Sequence, residues 1–463
     1  MVKEQLFVRK SVYLHFVKSV INLSFTMERI VYKELLDWMN SVERKPLVLN
    51  GARQVGKTYA LKEFGKKEFV KMAYFSLDRD EKARRVFESM GSVSSLVMSL
   101  SALAEVDITP GNTLLVLDEI QECPKALESL KYFHEDLPEL HVAVAGSLLG
   151  ISLHGNTSFP VGKVDMIKMY PLCFEEFLEA MGKHQLVNLI HSGNDESVSA
   201  LSSAFVEYLR MYYYVGGMPE VVKSFVETGE LQRVRRIQHQ ILFDYQRDFS
   251  KHAPSSIVPR INMVWNSIPS QLSKENKKFI YGAVRKGARA ADFELAIEWL
   301  VDAGMVYKVH RVNLPQMPLK FYEDPNVFKL YMLDVGLMGA MVDAPAEAVL
   351  VGNSIFKEYK GAFTELYVHN ELEFHGICSY YYTQDNSTIE VDFMVQKSVS
   401  VVPVEVKAEV SVKSKSLKTF IAKHPDMKGV RISMQEKCDQ DWMVNLPLYN
   451  FCRNFADCID FRI

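Results

Sequence analysis

Cysteine is scarce and scattered. The chain carries only Cys123, Cys173, Cys378, Cys438, Cys452 and Cys458 among 463 residues. No two of them have the close spacing of zinc knuckles or dithiol redox motifs. A disulfide-built secreted scaffold is therefore excluded, and reduced thiols in a cytoplasmic protein are the expectation. Charge of one sign is missing too: 54 Lys and Arg face 57 Asp and Glu, for a formal net charge of −3. That balance argues against a surface built wholly for nucleic acid or anionic lipid and leaves room for a local basic face. Long apolar runs are also absent. The most apolar early stretch, Ser11 to Phe25, is interrupted by Lys18 and lacks a small-residue cleavage site, and no other stretch reaches membrane-spanning length. No membrane partner is expected. Residues 1–26 read either as a loosely attached extension or as an over-long start, because the regular amphipathic pattern begins at Met27 and runs through Glu28 to Met39.

What is present is a large apolar fraction, 48%, enough for roughly two to four cores. The apolar run Pro46 to Asn50 predicts a buried parallel strand, and it leads directly into Gly51-Ala52-Arg53-Gln54-Val55-Gly56-Lys57-Thr58. In such a GxxxxGKT loop the glycines let successive backbone N–H groups wrap around phosphate oxygens, and the helix starting near Lys57 aims its positive end at the same anion. All eight loop residues are candidate nucleotide contacts. Lys57 is expected to reach the terminal phosphates, and Thr58 to ligate magnesium.

A second apolar strand, Thr113 to Leu117, ends at Asp118-Glu119, where its carboxyl edge would face the loop. Asp118 is the second candidate magnesium ligand, and Glu119 is placed to polarise an attacking water. A third strand, His141 to Ala145, ends at Gly146-Ser147, and Ser147 is the candidate sensor of the γ-phosphate or lytic water; the plain alternative is a turn or capping serine. Val70–Leu77 and Val164–Met169 complete an expected five-stranded, mostly parallel sheet with helices on both faces.

Together GARQVGKT, LLVLDEIQ, VAVAGSLLG, PVGKVDMIKMYPLCFEEFLEA and YYYVGGMPEVV resemble the prokaryotic AAA-type ATPases that carry a characteristic C-terminal domain of unassigned function. The resemblance runs from about Met27 to near the end of the chain. It implies ATP and Mg2+ as cofactors. One departure is that Pro160-Val161-Gly162-Lys163 stands where many relatives place an arginine serving a neighbouring subunit; Lys163 offers no bidentate fork, and Arg285 and Arg289 are loose substitutes.

From Glu176 to about Lys251 helical spacing dominates, broken at Val215-Gly216-Gly217-Met218-Pro219, as in a helical lid. His252 after it reads as a cap or surface residue. Helical segments are expected over Arg260–Ile268, Lys274–Val284 and Ala291–Leu300, followed by a Gly stop and the strand Met305–Val309, a pattern that suits a winged helix. Arg285, Lys286 and Arg289 would then neutralise phosphates, although Asp292, Glu294 and Glu298 give the same helix an acidic face that suits a subunit contact equally well.

The last third orders a helix acid, Glu365, a strand acid, Asp392, and a second strand with Glu405-Val406-Lys407. Period-two alternation puts Glu405 and Lys407 on one face, and a hairpin can bring Asp392 beside them. Gathered carboxylates repel unless a divalent cation joins them, and a neighbouring lysine can position water for attack on phosphorus. The arrangement resembles the restriction-endonuclease fold, with Glu365, Asp392, Glu405 and Lys407 at its four active-site positions and Val391 where that fold usually has proline. A second Mg2+ or Mn2+ is implied there. The alternative is a plain hairpin with exposed charges. Basic residues from Lys413 to Lys418 either brace phosphates or form a solvated helix face.

The expected fold class is α/β. Its segments are an N-terminal extension (1–26), a P-loop AAA-type ATPase domain (27–175), a helical lid (176–255), a winged-helix-like module (256–345) and a restriction-endonuclease-like domain (346–463). The expected function is magnesium-dependent ATP hydrolysis coupled to a nuclease-like domain that engages DNA, with a homo-oligomer as a candidate assembly. Two alternatives stand beside it: an ATP-gated regulatory or binding module with an inactive nuclease fold, and an oligomeric remodeller of protein.

Overall fold

The apolar run at residues 47–50 becomes a strand because both faces of it are covered. In the computed structural model, which describes residues 29–89, 91–147, 159–274, 277–351, 357–384, 389–397, 399–408 and 414–458, it is β1 (Leu47–Asn50), with Leu47, Val48 and Leu49 fully buried. The segment 1–26 and Lys413 lie outside the described residues. Four further strands join β1: β2 (Lys71–Ser76), β3 (Thr113–Asp118), β4 (His141–Gly146) and β5 (Asp165–Lys168). Their order is β2-β3-β4-β1-β5, and every pairing is parallel. Parallel strands need crossover helices, and those crossovers bury the sheet on both faces. Leu115, Leu117, Val142 and Val144 pack with Phe87, Leu100 and Phe133 from such helices. On the helix Lys57–Glu68, Ala60, Leu61 and Phe64 are buried at the spacing that makes one helical stripe.

The backbone divides into two compact units. One comprises residues 28–171 and 298–305; the other comprises 172–297 and 306–463, apart from residues 1–27.

In the second unit the helices Phe174–Ala180, Ser202–Val215, Pro219–Thr228 and Leu231–His252 fill the stretch expected as a lid. The break at Gly216 and Gly217 has a steric cause. Gly216 has φ 74°, and a Cβ on Gly217 would overlap the Leu172 carbonyl, so only glycine fits there. Pro219 then opens the next helix at its first turn, where a missing N–H costs nothing.

The remaining strands form one sheet of eight: β6 (Val306–Val312), β7 (Glu323–Met332), β8 (Ser379–Thr383), β9 (Glu390–Lys397), β10 (Ser400–Val406), β11 (Gly429–Ser433), β12 (Cys438–Gln440) and β13 (Met443–Pro447), in the order β12-β13-β11-β10-β9-β8-β6-β7. It is mixed: β9 is antiparallel to both β8 and β10, whereas β10 and β11 run parallel. The antiparallel hairpin β6–β7 lies in the segment expected as a winged-helix module, and β6 pairs with β8 through Arg311–Tyr381 and Val312–Tyr382. The exposed edge of that hairpin is thus covered by the C-terminal sheet.

One expected helix differs. Among the described residues of Lys274–Val284, helix is found at Tyr281–Val284. The residues before it are tied out instead, with Phe279 N–H donating to Phe328 O (2.8 Å) and Ile280 N–H to Gln271 Oε1 (2.7 Å). Those tertiary bonds outcompete local helical ones.

Candidate functional site

The loop between β1 and the helix Lys57–Glu68 takes conformations that other sequences resist. Gly51 has φ 152°, Gln54 65° and Gly56 97°. A Cβ on Gly51 would overlap the Met169 carbonyl oxygen, so the first glycine is fixed by the chain that follows β5. Gly51 N–H is held by Asn50 Oδ1 at 2.8 Å, and Arg29 Nη1 donates to Val55 O at 3.0 Å while its Nη2 donates to Tyr170 O at 2.6 Å. Asn50 and Arg29 therefore brace the loop from outside.

Lys57, at the helix start, folds back along the inner face of the loop and donates to the carbonyls of Gly51 (2.8 Å) and Ala52 (2.7 Å). Burial pushes its ammonium pKa down to about 8, against the pull of Glu119 and Asp118. An ammonium held this way, with few water contacts of its own, is poised to gain from an anion.

The end of β3 sits beside it. Asp118 Oδ2 accepts from Thr58 Oγ1 at 2.8 Å and from Tyr74 Oη at 2.7 Å, and Asp118 Oδ1 accepts from the Glu119 N–H at 3.1 Å. Burial, followed by the hydrogen bond to Asp118, pushes the Tyr74 phenol up to about 12, so Tyr74 stays a donor at neutral pH. Glu119 is left-handed at φ 52°, a strained conformation for a side chain of its size. Its Oε2 accepts from Gln121 Nε2 at 2.6 Å and from Ser147 Oγ at 3.2 Å, which draws the end of β4 to the end of β3. Thus Lys57, Thr58, Asp118, Glu119 and Ser147 are brought together, and Ala52, Arg53, Gln54 and Val55 line the loop between them.

Three contributors escaped the sequence reading: Tyr74, Gln121 and Arg29. Tyr74 has a signal, since parallel pairing of β2 with β3 matches Tyr74 with Val116 and Ser76 with Asp118; knowing that register would have pointed to it. The oxygens of Thr58 and Asp118 suit a hard divalent cation such as Mg2+. Two of the other expected charges pair elsewhere: Lys163 with Glu135 at 3.1 Å, and Arg285 with Asp292 at 3.8 Å. The Arg289 N–H donates to Asp292 Oδ2 at 2.8 Å.

The C-terminal carboxylates form a second cluster. Glu365, on the helix Lys357–Phe374, is 2% exposed. Its Oε1 accepts from Lys329 Nζ at 3.1 Å and from the Tyr331 hydroxyl, and its Oε2 from Lys277 Nζ. Lys329, on β7, is fully buried and also pairs with Glu390 at 3.0 Å. Asp392 Oδ2 accepts from the Val406 N–H at 2.8 Å, and Lys407 Nζ meets Glu405 Oε1 at 2.9 Å. The second oxygen of Glu405 is buried with no partner among the described residues.

Electrostatics follow that geometry. Burial pushes Glu365 up, but Lys277 and Lys329 overcome it and hold the carboxyl down at about 2. Asp392 lacks such a clamp, and burial together with the Glu365 charge raises it to about 6. Lys329 and Lys407 are both shifted upward, since their carboxylate neighbours outweigh the burial that opposes their charge. Four carboxylates (Glu365, Glu390, Asp392, Glu405) meet three ammoniums (Lys277, Lys329, Lys407), and the Arg431 guanidinium, paired in register with Glu405, adds a fourth positive charge. Glu365 is thus saturated by protein donors, whereas one oxygen of Glu405 is not. Lys277, Lys329 and Tyr331 were not among the sequence-derived site residues.

Residues 43–178 match the AAA domain family, residues 206–348 a domain of unknown function (DUF8612), and residues 360–449 a domain of unknown function (DUF4143). The N-terminal module is accordingly an AAA-type P-loop ATPase module. No curated protein matches the chain. Among solved structures, a Walker-type ATPase of Pyrococcus abyssi is 14% identical, with 68% of this chain and 96% of that one covered and a TM-score of 0.45. The RuvB Holliday junction branch migration motor of Thermotoga maritima is 12% identical, with 65% and 92% covered and a TM-score of 0.30. The Aeropyrum pernix ORC1 protein in complex with DNA is 14% identical, with 72% and 97% covered and a TM-score of 0.28. Among the described residues no helix is long and apolar enough to cross a membrane.

Proposed function

We propose that this protein hydrolyses ATP with Mg2+ at the β1–β3–β4 site and uses the turnover to control a C-terminal domain of nuclease-like construction that engages DNA. The convergence of Lys57, the Thr58–Asp118 pair and the Glu119–Ser147 pair carries the first half of that reading. Loop N–H groups and Lys57 hold the β- and γ-phosphates, and Thr58 and Asp118 hold the cation, which would draw charge off the phosphoryl oxygens. Glu119, kept in place by Gln121 and Ser147, takes the proton of the attacking water. Ser147, touching the same carboxylate oxygen, reports whether the γ-phosphate is present.

Lys57→Ala is expected to abolish nucleotide binding in calorimetry, whereas Glu119→Gln keeps ATP bound and lowers turnover by at least about a hundredfold. Equal turnover of Glu119→Gln and wild type would remove Glu119 from the mechanism.

For the C-terminal domain the orphaned oxygen of Glu405, next to Asp392 and Lys407, supports metal-assisted attack on phosphodiesters. A second reading has its own observation: Glu365 is saturated by Lys277, Lys329 and Tyr331, so the domain keeps the fold as an ATP-gated binding module without cleavage. Incubating plasmid with wild type and Lys407→Ala in Mg2+ or Mn2+ decides between them; identical product patterns leave the binding module. ATP turnover measured with DNA and with unfolded polypeptide tests the partner, and stimulation by polypeptide alone would point to a protein remodeller instead.

A further inference from the structure

The acidic and thiol groups at the far end of the helix Lys357–Phe374 belong to neither site described above. Glu371 is 4% exposed and stands one turn before His375, whose N–H still donates to the Glu371 carbonyl at 3.1 Å. Residues four apart on a helix share a face, so the two side chains leave the helix together. The helix Phe451–Cys458 brings Cys452 to the same place, with its thiol directed at Glu371 Oε2 at 4.0 Å. One carboxylate oxygen, one imidazole nitrogen and the sulfur all lie within 4.8 Å of one another.

The surroundings make that convergence costly as it stands. Glu371 Oε1 accepts from the Phe174 N–H at 2.8 Å, and among the described residues Oε2 has the weakly donating Cys452 thiol as its partner. The neighbouring basic side chains make their contacts elsewhere: His191 Nε2 meets Glu175 at 3.0 Å, and Arg453 Nη1 meets His191 Nδ1 at 3.4 Å. A cation there needs Glu371 and Cys452 in their deprotonated forms, and the contact between their oxygen and sulfur places both donors where one dication would reach them.

We propose that Glu371, His375 and Cys452 form a binding site for a zinc-class divalent cation, with the solvent side at His375 leaving a fourth position open. One oxygen, one nitrogen and one sulfur ligand is a donor set that tetrahedral Zn2+ and Co2+ accept and that Mg2+ and Ca2+ do not. On binding, the Cys452 thiol gives its proton to solvent and its sulfur to the metal, and any proton on Glu371 leaves as well. The bound cation would tie the helix Lys357–Phe374 to the helix Phe451–Cys458.

The test uses the tag-free, reduced protein with Cys378→Ser and Cys438→Ser, which removes the thiols that are exposed among the described residues. Titration with Co2+ is expected to give near-ultraviolet thiolate-to-cobalt absorption and visible bands of low-coordinate cobalt that saturate at about one equivalent and vanish on adding Zn2+. Cys452→Ala should lose the thiolate band, and His375→Ala should weaken Co2+ binding by at least about tenfold. His375 is exposed, so its variant tests the site even if Cys452→Ala fails to fold. Absence of the thiolate band from the folded protein, or an unchanged spectrum and affinity in His375→Ala, overturns the proposal.

Discussion

Asp118 is the residue on which the nucleotide site turns, because one of its oxygens takes two hydroxyl donors, Thr58 at 2.8 Å and Tyr74 at 2.7 Å. Removing one hydrogen bond to a charged group costs about 1.5–3 kcal/mol, and here the loss would show as misplacement of the metal ligand. Tyr74→Phe is therefore expected to lower ATP turnover roughly tenfold and raise the Mg2+ concentration needed for half-maximal rate, while the melting temperature stays within a few degrees of wild type. A Mg2+ dependence identical to wild type would show that Tyr74 does not position Asp118. Gly51→Ala acts differently. Its Cβ would overlap the Met169 carbonyl at a φ of 152°, so both nucleotide affinity and thermal stability should fall. The loop and its acids were legible in the chain because their chemistry is local: eight consecutive residues, and a carboxylate pair directly after an apolar run. Tyr74 and Arg29 were not, since each reaches the site only through strand register or a hydrogen bond to distant backbone.

At the scale of elements, the turn between the helices Ser202–Val215 and Pro219–Thr228 is locked by Asp334, which is 1% exposed. Its carboxylate accepts from the Gly217 N–H at 2.6 Å and caps the helix Val335–Met341 through the Leu337 N–H at 2.8 Å. Asp334→Ala leaves two buried donors unpaired and is expected to cost about 2–4 kcal/mol in urea unfolding. The pH dependence has a definite sign. Burial outweighs the backbone donors and raises Asp334 from 3.8 to about 6, so between those values the folded state holds the proton more tightly than the unfolded chain. Its contribution is then greatest below about pH 4, declines as pH rises, and is flat above about pH 6, a change of about 3 kcal/mol. The difference in stability between wild type and Asp334→Ala should accordingly shrink across that window; a difference that grows with pH would contradict the assignment. Sequence spacing located the break at Gly216 and Gly217 but not its partner, which lies more than a hundred residues on (|i−j| = 117). The same limit explains the shortened helix before Val284. Its local pattern is helical, whereas Phe279 bonds to the distant Phe328 carbonyl, Ile280 to Gln271 and Lys277 to the Glu365 carboxylate.

Across the whole molecule, the carboxylate cluster shows how far a motif can mislead without its counter-ions. Glu365, Asp392, Glu405 and Lys407 are recognisable from their order in the chain, and β9 and β10 do pair so that they fall together. Lys277 and Lys329 come from segments 88 and 36 residues away from Glu365, and no pattern announced them. They change the chemistry, because a buried ammonium does for these acids what a divalent cation does in a metal-dependent site. Lys329→Ala removes the ammonium shared by Glu365 and Glu390 and is expected to destabilise the protein by roughly 3–5 kcal/mol, since a buried charge loses its partner. If the cluster is built to take a metal, Mn2+ should restore much of the melting temperature in Lys329→Ala, with Asp392 and Glu405 as oxygen ligands. Wild type should shift little, because its own lysines already supply most of the positive charge. If Mn2+ leaves the variant as unstable as before, the pocket is shaped for an ammonium alone, and the binding-module reading of the C-terminal domain stands over the nuclease.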